Sequence, residues 1–349
     1  MTDKNLTAKS VYVVIFATLL VALALIISMF CIVLGDREEP YVQDAPGSDK
    51  ESDTAVVDVV LDNTPLFPTR ESRTSYIIPQ SDAVRTISDS GITSEHTILV
   101  DLSSYSSVAE KAADDKIYPA SMTKVMTLIV ACERVTNLSE MLTVTEEITK
   151  YAADNEGSGV GLKIGDKFTV EDLLYLVSYQ SDTIASLLIA DHIAGSEAAF
   201  VELMNDKAKE LGLTNTNFAN CTGLYNENNY TTCREMASIM AYALDNELAY
   251  RCLSSYTGRK YTVGGVDCIF YCGWYSQRFK DNPKVSGGKI IAGKTGYTDE
   301  SGYTLVSCAE IDGKRYINVI ITRTDKNSTV KVQEGSSADQ VKYIYKNYK

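Results

Sequence analysis

Three short stretches carry residues able to do acyl chemistry. In YPASMTKVMT, residues 118–127, Ser121 stands three residues before Lys124. Positions i and i+3 of a helix share a face, so the lysine can reach the serine hydroxyl. A lysine set among apolar side chains has its pKa lowered and can take a proton. A helix N-terminus offers unpaired N–H groups and a positive dipole to a developing oxyanion. Ser121 is thus a candidate nucleophile with Lys124 as its base. The competing reading is a capping serine beside a solvated lysine. The Ser-x-x-Lys pattern alone is weak, since it recurs at Ser286–Lys289 and Ser328–Lys331. Those two fall in a glycine-rich turn and a polar loop, whereas Ser121 opens a strongly apolar helix. The second stretch is Ser181-Asp182-Thr183, after an apolar run. The third is Lys294-Thr295-Gly296, which occurs once and sits on an expected strand. The two histidines, His96 and His192, lie in neither a triad-like nor a His-Glu-x-x-His setting and read as structural.

The elements that must hold these stretches follow from periodicity. HTILVDLSS reads as a strand and SVAEKA as the start of its hairpin partner. PASMTKVMTLIVACERV has apolar residues at helical spacing. TVEDLLYLVSYQSDTIASLLIADHIAG reads as one or two buried helices, with Thr169 to Asp172 as a capping box and Gly195 as a stop. EAAFVELMNDKAKELGL is a helix ended by Gly212, and CREMASIMAYALDN is another. KIIAGKTGYT, YTLVSCAEI and RYINVIITRT read as three strands, the last two joined at Asp312-Gly313. SADQVKYIYKNY closes as a helix. Strands come first and last with helices between, which predicts one α+β domain whose sheet joins the two ends. AVVDVVL and TSYIIP, further upstream, are possible short strands.

The chain has 349 residues, 45% hydrophobic and 23% charged, with a formal net charge of −13. That is enough apolar content for a sizeable core, and the acidity argues against nucleic-acid binding. No charge occurs from Ser10 to Gly35, a run long enough to span a bilayer. Lys4 and Lys9 precede it and an acidic stretch follows, so the N-terminus is expected inside and the remainder outside. The expected organisation is a cytoplasmic tail at 1–10, a transmembrane signal anchor at 11–35, an acidic linker at 36–88 and a catalytic domain at 89–349. A cleaved signal peptide is the alternative. Seven cysteines lie beyond the apolar run. Cys221 and Cys233 flank one loop and could pair, or all seven are small buried thiols.

A Ser-x-x-Lys helix, a central serine element and a Lys-Thr-Gly strand, in that order, resemble penicillin-binding proteins of the D-alanyl-D-alanine carboxypeptidase type. YPASMTKVMT, GLKIGDKFTVEDLLYLV, AKELGLTNTNF, TGLYNENNYTT and GKTGYTDESGYTLV extend the likeness over roughly residues 91–349. The resemblance implies a β-lactamase/transpeptidase-like fold, an antiparallel sheet packed with helices plus an all-helical lobe. It implies that Ser121 is acylated, Lys124 takes its proton and Ser181 relays a proton to the leaving D-alanine. Lys294, Thr295 and Gly296 would bind the substrate carboxylate. The backbone N–H groups of Ser121 and Tyr297 would form the oxyanion hole, and Thr183 would line the substrate site. Peptidoglycan stem peptides and β-lactams are the implied partners, with no metal and no cofactor.

Thr183 departs from the family's Ser-x-Asn motif, where an amide is both donor and acceptor. This puts turnover in doubt more than acylation. A shifted reading, Ser178-Tyr179-Gln180, restores an amide but breaks the flanking match. Alternatives on the same scaffold are a membrane-anchored sensor that has lost catalysis, a transpeptidase or endopeptidase, and a β-lactamase. The last would need a glutamate on a loop, and Glu210-Leu211-Gly212-Leu213-Thr214 is a loose look-alike that reads as a helix end.

Overall fold

The computed structural model describes residues 75–322 and 334–349, all within one unit of the chain, residues 59–349. The apolar run at 11–35, AVVDVVL and the Ser328–Lys331 pair lie outside the described residues. Among the described residues no single helix is long and apolar enough to cross a membrane. The bent pair Thr183–Ala194 and Glu197–Glu210 passes that test only in combination.

Seven strands form the main sheet. They are β1 (Gln80–Thr86), β2 (His96–Asp101), β3 (Ser106–Lys111), β8 (Lys284–Val285), β9 (Gly288–Thr298), β10 (Gly302–Ile311) and β11 (Lys314–Thr322), in the order β1-β3-β2-β11-β10-β9-β8. All pairings are antiparallel except β1 with β3. The centre is the β9–β10–β11 meander, and β2 pairs with β11, so the two ends of the segment share one sheet as expected. The central strands are apolar on both faces, and helices cover them. Two short hairpins stand apart: β4 (Met141–Thr143) with β5 (Lys167–Thr169), and β6 (Arg259–Val263) with β7 (Val266–Phe270).

Helices supply the second layer and the helical lobe: α1 (Lys124–Arg134), α2 (Glu146–Asp154), α3 (Val170–Tyr179), α4 (Thr183–Ala194), α5 (Glu197–Glu210), α6 (Cys233–Leu244), α7 (Glu247–Ser254) and α8 (Glu334–Asn347). α6 packs on β2 and β11, and α8 on β10 and β11. In the lobe α4 meets α1, α2, α3 and α5, so its residues from Thr183 to Ala190 are all buried. A helix apolar all round must sit at such a centre. The expected capping signal at Thr169 is present, its hydroxyl accepting from Asp172 N at 3.0 Å.

From Ser75 to Pro79 the expected TSYIIP strand is irregular chain, Thr74 lying outside the described residues, yet Tyr76 and Ile78 are buried, and Ile87 follows β1 into the core. Core side chains and a sheet strand therefore occur upstream of residue 89. All seven cysteines among the described residues are free thiols, Cys221 and Cys233 included.

Candidate active site

Ser121 enters the site through a strained turn. Ala120 takes positive φ (48°), and residues Ala120–Thr123 form a 3-10 turn that runs directly into α1. No side chain caps this entry, so the competing reading of Ser121 as a capping serine does not hold and its hydroxyl is left for other partners. Lys124 Nζ lies 3.3 Å from it and also donates to the Thr222 carbonyl. Lys124 is 1% exposed. Burial brings its pKa down to about 8, against the opposing pull of Asp182.

Two close backbone approaches fix this turn. A Cβ on Gly296 would lie 2.7 Å from Ser121 N and 3.0 Å from Ala120 Cβ. A Cβ on Gly223, itself at φ 77°, would lie 2.2 Å from the Ala120 carbonyl oxygen. Only glycine lets β9 on one side and the 220–224 turn on the other press against the serine. Gly296 thereby brings the Ser121 amide alongside the strand that carries Tyr297. Tyr297 is 47% exposed, and its hydroxyl donates to Asp299 Oδ1 at 3.0 Å.

Ser181 breaks the path between α3 and α4. It too has positive φ (55°), and this kink turns its hydroxyl to Lys294 Nζ, 3.0 Å away. Ser158 clamps the kink, donating from Oγ to the Ser181 carbonyl at 2.9 Å while its own carbonyl accepts from Thr183 N at 2.8 Å. Asp182 caps α4, accepting from Ala185 N and Val160 N; burial raises its pKa, and these bonds oppose the rise. Lys294, on β9, is as buried as Lys124 and also donates to the Thr295 carbonyl at 2.8 Å. Burial depresses its pKa strongly, and the Lys124 ammonium and Arg278 push the same way. Ser121, Lys124, Ser181 and Lys294, spread over 174 positions of sequence, thus converge as two serine–lysine pairs. Thr295 sits half-buried in the same strand, opposite Leu305.

Thr183 is placed differently. It is buried in the first turn of α4 with its methyl facing Gly157, where an added Cβ would lie 2.8 Å from Cγ2. Its hydroxyl has no hydrogen-bond partner among the described residues, so it does not bond Lys124 as an amide there would. The shifted reading finds no support: Ser178 Oγ donates to the Cys252 carbonyl and Gln180 Nε2 to the Tyr271 carbonyl. Ser286 lies exposed in the β8–β9 turn. Glu210 ends α5 and accepts from Lys207 Nζ at 2.5 Å.

Sequence reasoning assigned no role to the 220–224 turn, to Arg278, or to Trp274 beneath Gly293. The TGLYNENNYTT stretch held the turn's signal in its Thr-Gly pair. A backbone carbonyl that receives a lysine has no side-chain signature of its own.

The fold brings the Ser-x-x-Lys, central serine and Lys-Thr-Gly stretches into one site. The model of the D-alanyl-D-alanine carboxypeptidase family of peptidases matches residues 83–325, and the chain belongs to that family. It is 35% identical over 225 residues to D-alanyl-D-alanine carboxypeptidase DacF of Bacillus subtilis, covering 63% of this chain and 56% of that protein. It is 33% identical over 254 residues to D-alanyl-D-alanine carboxypeptidase DacC of Escherichia coli, covering 70% and 60%. The chain thus spans less than two thirds of the length of these relatives. Among solved structures, a serine-to-alanine variant of a Streptomyces DD-transpeptidase superposes with a TM-score of 0.63 at 26% identity, covering 73% of this chain and 97% of that one. A D-alanyl-D-alanine carboxypeptidase from Mycobacterium tuberculosis shares the fold, with a TM-score of 0.63 at 22% identity over 77% of this chain and 96% of that one.

Proposed function

We propose that this protein is a serine-type D-alanyl-D-alanine carboxypeptidase that removes the terminal D-alanine of peptidoglycan stem peptides through a Ser121 acyl-enzyme. The observation that carries the reading is the pair of buried lysines, each on its own serine: Lys124 on Ser121 and Lys294 on Ser181. An amine brought down by burial to about 8, as Lys124 is, serves as a proton acceptor near neutral pH, where an ordinary lysine cannot.

The stem peptide lies along β9, whose neighbour β8 pairs only with Gly288 and Lys289 and leaves the Lys294–Tyr297 edge for a substrate strand. Lys124 takes the Ser121 proton as Oγ attacks the penultimate carbonyl. The oxyanion forms against the backbone N–H groups of Ser121 and Tyr297. The terminal carboxylate binds at Lys294, Thr295 and Gly296; its charge pulls Lys294 back toward the protonated state. Ser181 passes on to the leaving D-alanine nitrogen the proton that Lys124 took from Ser121, which returns Lys124 to the neutral amine; water, deprotonated at Lys124, then attacks the acyl carbonyl, and Ser121 Oγ leaves with the proton handed back by Lys124. Thr183 lines the base of this groove without supplying the amide expected at its position. The chain is held at the membrane by residues 11–35, with the catalytic domain outside.

The test uses the purified full chain in detergent. Fluorescent penicillin should label the wild type and not Ser121→Ala, and the wild type should release D-alanine from a D-Ala-D-Ala peptide. No labelling of folded wild type would overturn the reading. Labelling without D-alanine release would favour a sensor, which the unpartnered Thr183 hydroxyl makes the second reading.

A further inference from the structure

The groups that hold Lys124 in place lie outside the three motifs. Its Nζ donates to the Thr222 carbonyl, so the position of that one oxygen fixes where the amine points. Thr222 belongs to a turn with almost no regular structure around it, and one side chain stitches the turn together. Asn220 is 7% exposed. Its Oδ1 accepts from Gly223 N at 2.7 Å and from Thr222 Oγ1 at 3.3 Å. Its Nδ2 donates to the Leu224 carbonyl at 2.9 Å. Both halves of the amide are therefore spent inside the turn, the oxygen on the Thr222–Gly223 peptide that carries the Thr222 carbonyl and the nitrogen on the Leu224 carbonyl beyond it. The turn is pinned to its surroundings at Cys221, whose N donates to Glu197 Oε1 at 3.1 Å and whose carbonyl accepts from Thr127 Oγ1 at 2.7 Å. Gly223, the residue whose N–H Asn220 holds, is the one pressed against Ala120 and Ser121.

We propose that Asn220 is a positioning residue for the reaction, setting the Thr222 carbonyl that aims Lys124 and the Gly223 backbone that abuts Ser121. The proposal rests on the reading of Lys124 as the base. Its chemistry complements the departure at Thr183: with no amide bonding the lysine from α4, the amine is aimed from the 220–224 turn. An amide is required because the turn needs an acceptor atom and a separate donor atom on one short arm, and asparagine alone of the short side chains carries the two on different atoms. Asn220 touches no substrate in this scheme, so its loss acts on the acylation step and not on binding.

The experiment measures fluorescent-penicillin acylation of the full chain in detergent, resolving non-covalent affinity from the acylation rate constant across pH 6–10. Wild type, Asn220→Ala and Asn220→Asp are compared, with thermal melts to establish folding. Displacement of a catalytic group by about 1 Å costs roughly 100-fold in rate, so Asn220→Ala should lose about that factor in acylation with affinity unchanged. Asn220→Asp keeps the acceptor for Gly223 N and should recover most of the rate at high pH. Its added charge favours the ammonium, so its acid limb should lie above that of the wild type. The titratable groups facing Lys124 are Cys221 from the same turn, Asp182 from the start of α4 and Lys294 from β9, and none of them is altered in these variants. Folded variants that acylate at the wild-type rate with an unmoved limb overturn the proposal while the wild-type labelling keeps the functional reading. A wild type that does not label removes both. Where Asn220→Ala fails to fold, the Asn220→Asp limb decides alone.

Discussion

Replacing Lys124 by methionine separates what its buried amine does for the reaction from what it does to the fold. Lys124 is 1% exposed, and its pKa is about 8 in the folded chain against an ordinary 10.5. Below pH 8 the amine is protonated folded and unfolded alike, and the folded state alone keeps the charge from water. Above pH 10.5 neither state carries it. Stability therefore rises with pH through that window, by about 3 kcal/mol for a shift of this size. Methionine fills similar volume without charge, but strips the Thr222 carbonyl of its donor at about 1–3 kcal/mol. At pH 7 the two effects leave Lys124→Met between equal to and about 2 kcal/mol more stable than the wild type. The sharper readout is the pH trend. As the wild type sheds its penalty, the variant should lose about 2–3 kcal/mol of relative stability between pH 7 and pH 10. Relief of Lys294 from its neighbour's charge adds with the same sign. Urea unfolding of both proteins at the two pH values measures this. A stability difference that ignores pH would refute the argument that burial holds this amine near neutrality. The same depression matters for rate: at pH 7 about one lysine in eleven is neutral rather than about one in three thousand. Acylation should therefore rise with pH up to about 8 and collapse in Lys124→Met. A variant acylating within about tenfold of wild type would refute the base assignment.

Other substitutions probe the geometry around this amine. Gly296→Ala drives a methyl into Ser121 N and Thr304 Oγ1; acylation should fall about 100-fold as β9 shifts off the serine turn, read by the same labelling kinetics. Ser181→Gly and Ser181→Ala both lose the hydroxyl held by Lys294, but only glycine relieves the positive φ. The glycine variant should therefore melt as the more stable of the two by about 1 kcal/mol, with both equally slow. Thr183→Val removes a buried hydroxyl that bonds nothing among the described residues; it should stabilise by about 1 kcal/mol and leave D-alanine release within about threefold. A chain cut to begin at Gly91 loses β1 with buried Ile78 and Ile87, which should cost about 3–6 kcal/mol in denaturant unfolding.

What could be read from the sequence was what side chains announce locally. Helical spacing from Val125 to Ala131 and the apolar alternation through β10 and β11 report burial faces directly, so the α+β layout and the joining of β2 to β11 followed from pattern. Lys124 was legible in part, since its apolar neighbours left a buried base and a solvated lysine as equal readings, and its 1% exposure decides for the first. Pattern alone left the competing capping reading of Ser121 standing, because a 3-10 turn entered through a positive-φ alanine has no composition signal distinct from a helix start. β1 was obscured because its burial is confined to a few side chains at its flanks, Ile78 and Ile87, while the strand itself is a polar edge. The partner of Lys124 was hidden at a deeper level. Its acceptor is a carbonyl that every residue possesses, and only the fold selects Thr222. The selection is nonetheless written in sequence at one remove, in Asn220 and Gly223, because a carbonyl can be aimed only by the groups that fix the peptide planes on either side of it. A site assembled partly from backbone is therefore legible through its turn-makers. Here the turn-makers stand about one hundred residues from the lysine they serve.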